Sequence, residues 1–397
     1  MVKYCLNEIY IGDNLAIMNS DKFKKYLNKI DFIYIDPPYN TKAMMSYEDK
    51  NDMWYENFLS RMKVAYEMLN VSGVVYISID DSELASVLDI GYKIFGKNNF
   101  VGLLITRQAT RSNSKMVNVI HEYIVCFCKD KSKAPRLFIK RMENPIESEQ
   151  LKYITKEVKK LYKKDIARAR VRLNELIRDY SDKYGQKWIK NYNNIDESGR
   201  IYFAKDLSTP GEPRKVDIDF IGIHLEPLKT RGWPKDERII KLYKENRLTF
   251  KNGRPYVIEY LDEATDNVPS ILNFYSRQGT NDLKKLGLNG LFDTPKPVEL
   301  IKFLIRSTLR KNGIILDFYA GSGTTAQAVY EINEEDCRAH QYILIQNEEK
   351  INEKSKTYKN VLKYNLPNLA ISDLMLIRIN RYLELNNKSV DFDVIKG

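Results

Sequence analysis

Asp36, Pro37, Pro38 and Tyr39 stand together at the end of an apolar run, Phe32-Ile-Tyr-Ile-Asp-Pro-Pro-Tyr-Asn-Thr41. A carboxylate, a main chain stiffened by two prolines and an aromatic ring at the mouth of a buried strand suit one chemistry well. That chemistry is methyl transfer to the exocyclic amine of a nucleobase. The amine of adenine is a poor nucleophile because its lone pair is delocalised into the ring. Acceptors on both of its N–H groups favour the geometry in which that pair is localised. Asp36 can supply one acceptor and the main-chain carbonyl of Pro37 the other, held in place because proline fixes φ near −65°. Catalysis of this kind is electrostatic preorganisation and needs no covalent intermediate. Tyr39 offers a flat face to an extruded base, and such stacking contributes roughly 1–3 kcal/mol per base. Extrusion is required because the amine is out of reach inside a duplex. Asp-Pro and Pro-Pro are also common turn pairs, so a plain strand-ending turn is the competing reading of the tetrad taken alone.

A second motif lies far along the chain. Residues 313–329 read as a strand over 314–318, a tight turn through Gly321 and Gly323, and a helix from Thr324. Gly321 to Ala326 fits the loose G-x-G-x-x-G/A pattern of nucleotide-binding turns, and no Gly-Lys-Ser/Thr follows to make it a phosphate loop. A further strand is predicted over 341–346. Gln346 ends it, where a polar residue hydrogen-bonds ribose hydroxyls in dinucleotide folds. Glutamine in place of an acid argues against NAD and is compatible with the adenosine of S-adenosyl-L-methionine. Ligands of open α/β sheets bind beyond the carboxyl ends of strands. Both loops are therefore expected to open on one edge of one sheet.

With both motifs in view, the chain resembles the amino-methylating DNA methyltransferases. It is most similar to the β-class adenine-N6 enzymes, including modification subunits of type III restriction systems. The resemblance rests on Tyr34-Ile-Asp-Pro-Pro-Tyr-Asn-Thr41, Phe292-Asp-Thr-Pro-Lys-Pro-Val-Glu299 and Leu316-Asp-Phe-Tyr-Ala-Gly-Ser-Gly-Thr-Thr325, in that order. Weaker matches are Gly12-Asp-Asn-Leu15, Tyr76-Ile-Ser-Ile-Asp-Asp-Ser-Glu83 and His121-Glu-Tyr-Ile-Val125. It implies a Rossmann-like, S-adenosyl-L-methionine-dependent α/β sheet with an inserted α+β target-recognition domain. Asp36, Pro37, Pro38 and Tyr39 become the catalytic residues. The cofactor set becomes Asp13 at the adenine, Phe292, Thr294 and Lys296 at the methionine end, Asp317 and Phe318 at the strand end, then Gly321, Gly323, Thr324 and Gln346, with Asp36 at the shared edge. Implied partners are double-stranded DNA, a second copy of the chain, since dimers are common among similar enzymes, and a helicase-nuclease restriction subunit. Type III modification subunits are usually longer than this chain.

The positioning elements follow from composition and periodicity. The 397 residues suffice for two domains, and an apolar fraction of 43% supports a sizeable core. A net charge of +11 suits a polyanion. A basic solvated surface is the alternative. Cys5, Cys126, Cys128 and Cys337 are too few and scattered for a disulfide framework. The three histidines, His121, His224 and His340, lack metal spacing, and no metal is expected. No signal-peptide core or membrane span is apparent, and a cytoplasmic location is the default. Strands are predicted over 31–35, 73–79 and 122–127, with a helix over 53–69. A polar, basic loop near DNA is predicted over 107–118. Residues 141–195 have roughly two basic residues per acid, with helical apolar spacing through Leu151, Ile154, Val158, Leu161, Ile166, Val171, Leu173 and Ile177. We assign 1–140 and 285–397 to a split catalytic domain and 141–284 to target recognition. Three rival readings stay open at this point: cytosine-N4 methylation through the same geometry, a DNA-binding subunit acting within a restriction complex, and an NAD-dependent oxidoreductase.

Overall fold

A computed structural model describes residues 7–41, 53–108, 116–143, 147–362 and 370–396. Cys5, and positions 109–115 of the predicted polar loop, lie outside them. Nine strands share one sheet: β1 (Asn7–Ile11), β2 (Ile30–Ile35), β3 (Leu69–Ile79), β4 (Phe100–Arg107), β5 (His121–Cys128), β6 (Ile271–Tyr275), β7 (Ile314–Asp317), β8 (Gln341–Gln346) and β9 (Phe392–Lys396). Their order is β6-β4-β5-β3-β2-β7-β8-β1-β9. Every neighbouring pair is parallel except those made by β5, which runs against both β3 and β4. Strands β2 and β7, nearly three hundred residues apart in sequence, are direct neighbours through Ile315 opposite Phe32 and Leu316 opposite Ile33.

The central strands are largely apolar on both faces because both faces are covered. On one face, Ile33, Ile35, Val75 and Ile77 join Phe58 and Met62 of helix α2 (Trp54–Met68) and Val87 and Ile90 of α3 (Leu84–Phe95). A short helix α1 (Asn14–Asn19), capped by Asp13, adds Ile17 and Met18. The alternate residues face the other way. Tyr76 and Tyr342 reach across to Thr308 and Tyr330 with hydroxyl contacts of 2.8 Å each. Helices α4 (Arg277–Lys285), α5 (Val298–Thr308), α6 (Thr324–Glu335), α7 (Lys356–Val361) and α8 (Ile371–Leu385) complete this part of the chain.

Residues 1–137 and 268–397 make one compact unit and 138–267 another. The observed break at 267 differs from the 284 read from sequence. Strand β6 pairs with β4 through Ile271 opposite Ile105 and buries Leu272 and Phe274. Five alternating residues looked like one more short strand of the insertion, but their partner is the large sheet.

Within 138–267, helices Ser148–Tyr162 and Ile166–Tyr184 pack through Leu151, Ile154, Val158, Leu173, Ile177 and Tyr180. Ile166 and Val171, expected on that apolar stripe, are exposed. Val171 is two residues from buried Leu173, which puts it about 200° around the helix. The same unit holds a four-stranded antiparallel sheet over 194–195, 201–206, 248–251 and 254–260. His224 lies near Asp217 and Asp219 on an exposed hairpin, an arrangement that sequence spacing did not suggest. No described helix is long and apolar enough to cross a membrane.

Candidate active site

The two loops open on one cavity of about 270 Å³, just below the usual size range of small-molecule sites. Of the residues expected from sequence, Asp13, Asp36, Pro38, Phe292, Thr294, Lys296, Asp317, Phe318, Gly321, Thr324 and Gln346 line it. Pro37, Tyr39 and Gly323 are neighbours of these lining residues in sequence and are not themselves part of the lining. Neighbouring strands explain the convergence: Asp36 follows the last residue of β2 and Asp317 is the last residue of β7.

The turn after β2 is held from several sides. Trp54 Nε1 donates to the Pro38 carbonyl at 2.7 Å. Asn40 Nδ2 donates to Glu83 at 2.7 Å. The Asp36 carboxylate accepts from the Tyr39 hydroxyl at 2.9 Å and lies 3.2 Å from the Lys296 ammonium. Lys296 also donates to the Tyr39 oxygen at 2.6 Å and to Glu122 at 2.7 Å, and Gln108 donates to the other Glu122 oxygen at 2.6 Å.

Burial pushes the Asp36 carboxyl above its ordinary range, and Glu122 adds to this against the opposing pull of Lys296. Burial acts on Glu122 in the same direction, but there Lys296, with hydrogen bonds from Gln108 and Tyr39, outweighs it and holds the carboxyl low. Burial would lower the Lys296 ammonium, yet Asp36 and Glu122 together raise it well above its usual value. The cluster thus holds two carboxylates against one ammonium.

Lys296, expected beside the methionine end, lines the cavity, and its ammonium pairs with Asp36 and Glu122. Glu122 was not singled out from sequence. Because β5 runs antiparallel, its first residues lie at the carboxyl edge of the sheet, with Tyr123 opposite Ile79. Nothing in a local apolar run announces that reversal.

Glycine positions Lys296. A Cβ on Gly279 would sit 1.8 Å from the Pro295 carbonyl oxygen, so only glycine lets α4 lie against the 295–296 backbone. Asp282 of the same helix accepts from the Val298 N–H at 3.0 Å, satisfying a free donor at the start of α5. Gly279→Ala is expected to cost roughly 1–3 kcal/mol by overpacking. Denaturant unfolding of the variant checks this, and an unchanged midpoint would contradict the placement.

On the other side of the cavity, Gly321 and Gly323 have left-handed backbones, with φ of +52° and +77°. A Cβ on Gly323 would meet Met375 Cγ at 3.0 Å, so α8 packs onto the turn because the residue is glycine. The Gly321 N–H donates to Gln346 Oε1 at 2.7 Å. Gln346, expected to face ribose hydroxyls, thus uses its carbonyl oxygen to brace the glycine turn.

Asp13 caps α1 by accepting from the Ala16 N–H at 2.9 Å and pairs with Arg61 at 2.7 Å. Arg61 also donates to Asn14, whose amide donates to the Phe318 carbonyl at 2.7 Å. Asn14 and Arg61 line the cavity beside Trp54, Phe58 and Asn347. Asn14 belongs to the Gly12–Leu15 match, whereas Arg61, Trp54, Phe58 and Asn347 lacked a motif of their own in the sequence.

Asp317 accepts from the Thr325 hydroxyl at 2.6 Å and the Tyr319 N–H at 3.1 Å, and burial lifts its carboxyl from 3.8 to about 7. The stability contributed by its protonated form is complete below the ordinary carboxyl range and is lost as pH rises toward 7. Asp317→Asn is expected to flatten the fall in stability between about pH 4 and 7 by up to one proton, about 1.4 kcal/mol per pH unit. Urea melts across that range test it. An unchanged slope would contradict the assignment of that proton to Asp317.

Comparisons with known proteins bear on this geometry. A family model described as DNA methylase matches residues 30–357. The type II methyltransferase M.KpnI of Klebsiella pneumoniae is 30% identical, over 94% of this chain and 87% of that protein. The EcoP15I Mod subunit of an Escherichia coli type III restriction-modification enzyme is 27% identical over 88% of this chain. The chain spans 60% of that subunit's length and 59% of the EcoPI Mod subunit from Escherichia phage P1. Among solved structures, a complex of M1.HpyAVI with SAM has a TM-score of 0.37 and 13% identity, covering 91% of this chain and 98% of that one.

Proposed function

The chain belongs to the DNA methylase family, and on that premise we propose that it transfers a methyl group from S-adenosyl-L-methionine to adenine N6 at a specific site in double-stranded DNA. One observation carries this reading: Asp36 and the Gly321 turn leave adjacent parallel strands and line the same cavity. Bound S-adenosyl-L-methionine would supply an electrophilic methyl group. Phe292, Thr294, Gly321, Ser322 and Thr324 would hold its methionine part, and Asp13, Arg61 and Gln346 its adenosine. Their mixture of aromatic wall, hydroxyls and close main chain fits such a donor.

The chain's own contribution is placement and charge. The Pro38 carbonyl is already taken by Trp54, so Pro37 offers the main-chain oxygen for one N–H of an extruded base. Asp36 accepts the other N–H. As the amine gains the methyl and S-adenosylhomocysteine departs, its proton passes to the Asp36 carboxylate that accepts that N–H, and from there to solvent. Positive charge developing on the amine is favoured by a cluster with an excess of one carboxylate, a preorganised field. Tyr39 is locked through its hydroxyl to Asp36, Glu122 and Lys296, which stiffens the tetrad. Residues 138–267, with exposed Arg168, Arg170 and Arg178 on one helix, are our candidate for target recognition. Phosphate contacts from such residues would make binding strongly salt-dependent.

Asp at position 36 favours adenine, since cytosine-N4 enzymes of similar type more often carry Ser there. Cytosine N4 is the second reading because the same acceptors serve either amine. A duplex library incubated with S-adenosyl-L-methionine and digested to nucleosides separates them by mass spectrometry. N6-methyldeoxyadenosine is expected. N4-methyldeoxycytidine would move the assignment to the second reading, and no methylated nucleoside would contradict both. Copurification with and without a helicase-nuclease partner tests the restriction context suggested by the relatives' names, and light scattering tests the homodimer.

A further inference from the structure

Arg378 of α8 is fully buried, yet it has no carboxylate partner among the described residues. Its Nε donates to Gln327 Oε1 at 3.0 Å, and its Nη1 donates to Ser322 Oγ at 2.8 Å and Thr324 Oγ1 at 2.6 Å. Its Nη2 has no hydrogen-bond partner among the described residues. An uncompensated buried cation is costly, and such charges are normally paired. Asp282 and Glu331 act on it only through space. Ser322 and Thr324, which carry these two hydroxyls, both line the cavity.

The direction of these bonds matters. Arg378 only donates, so it occupies acceptor capacity on both hydroxyl oxygens and drives their protons elsewhere. One proton can lie between the two hydroxyls, which are 3.3 Å apart. The other acceptor in reach is the Lys296 carbonyl, at a long 3.4 Å. Both contacts are long, so a hydroxyl proton gains by turning to a closer acceptor in the cavity. An anionic oxygen there would gain a charge-assisted bond and bring a counter-charge to the guanidinium behind it.

We propose that Arg378 is a positioning residue for the carboxylate of the methyl donor: it turns Ser322 and Thr324 into hydrogen-bond donors and supplies the buried positive charge that the carboxylate answers. The inference rests on the donor-site reading above. It assigns to a residue of the C-terminal helix, outside every sequence motif, the recognition of one functional group of the ligand.

The test compares two ligands by calorimetry: S-adenosylhomocysteine and the analogue that lacks only its carboxylate. Wild type should prefer the first by about tenfold or more, the size expected for hydrogen bonds to a charged group. In Arg378→Met that preference should shrink toward one, while the decarboxylated analogue keeps its affinity. Loss of both affinities in proportion, or a preference equal to wild type, overturns the inference. Should Arg378→Met not fold, Ser322→Ala with Thr324→Val takes its place, with the same expected narrowing and the same overturning result. Binding of neither ligand by wild type would overturn the donor-site reading and this inference with it. An unchanged preference would overturn the inference alone.

Discussion

Asp36→Ala should lose turnover on the order of 10²–10³-fold, the usual cost of removing one preorganised group from the charge that develops in a reaction, while still binding the methyl donor. The structure explains why the two effects separate. Lys296 stays paired with Glu122 at 2.7 Å after Asp36 is removed, so no buried cation is stranded. The glycine turn is braced by Gln346 and packed by α8, neither of which touches Asp36. Asp36→Asn should behave similarly, because an amide placed against Lys296 and Tyr39 is a weaker acceptor than a carboxylate. Single-turnover methyl incorporation with calorimetry of donor binding checks both variants. Turnover retained within a few-fold would remove Asp36 from the chemistry.

Lys296→Met should have the largest effect on stability. The ammonium sits between two buried carboxylates, and its loss leaves both without a counter-charge. Breaking a buried pair from one side typically costs about 3–5 kcal/mol. Without Lys296, burial and mutual repulsion should raise the carboxyls of both Asp36 and Glu122. A carboxyl raised in the folded state contributes its stability at low pH and loses it as pH rises through the folded value. The variant should therefore lag wild type more at pH 8 than at pH 5. Adding Glu122→Gln to Lys296→Met should recover part of the loss, since one of the two stranded charges is gone. Denaturation of wild type, both single variants and the double variant at the two pH values completes the cycle. A Lys296→Met variant as stable as wild type at pH 8 would contradict the buried network.

Local signals carried far in this chain. Apolar runs bounded by turn residues located β2, β3, β5, β7 and β8, and their loops named Asp36, Gly321 and the residues around them. What escaped was set by long-range pairing. Glu122 reaches the site because β5 is reversed, and reversal has no signature in eight residues. Strand β6 looked like part of the insertion because five alternating residues fit either sheet. Arg378 reads as a solvated charge on a helix until α8 is seen packing over Gly323. Lys296 was recognised through its neighbours Thr294 and Pro297, but the direction of its side chain depends on carboxylates from two distant strands.

The central claim is spatial: the turn after β7 receives the methyl donor, and the turn after β2 receives the amine. A structure with S-adenosyl-L-methionine bound measures this most directly. The expected result is a donor whose methionine part lies on Gly321, Ser322 and Thr324, whose adenosine lies toward Asp13 and Arg61, and whose methyl carbon faces the Asp36 carboxylate. A donor bound away from the glycine turn, or one with its methyl turned from Asp36, would contradict the account.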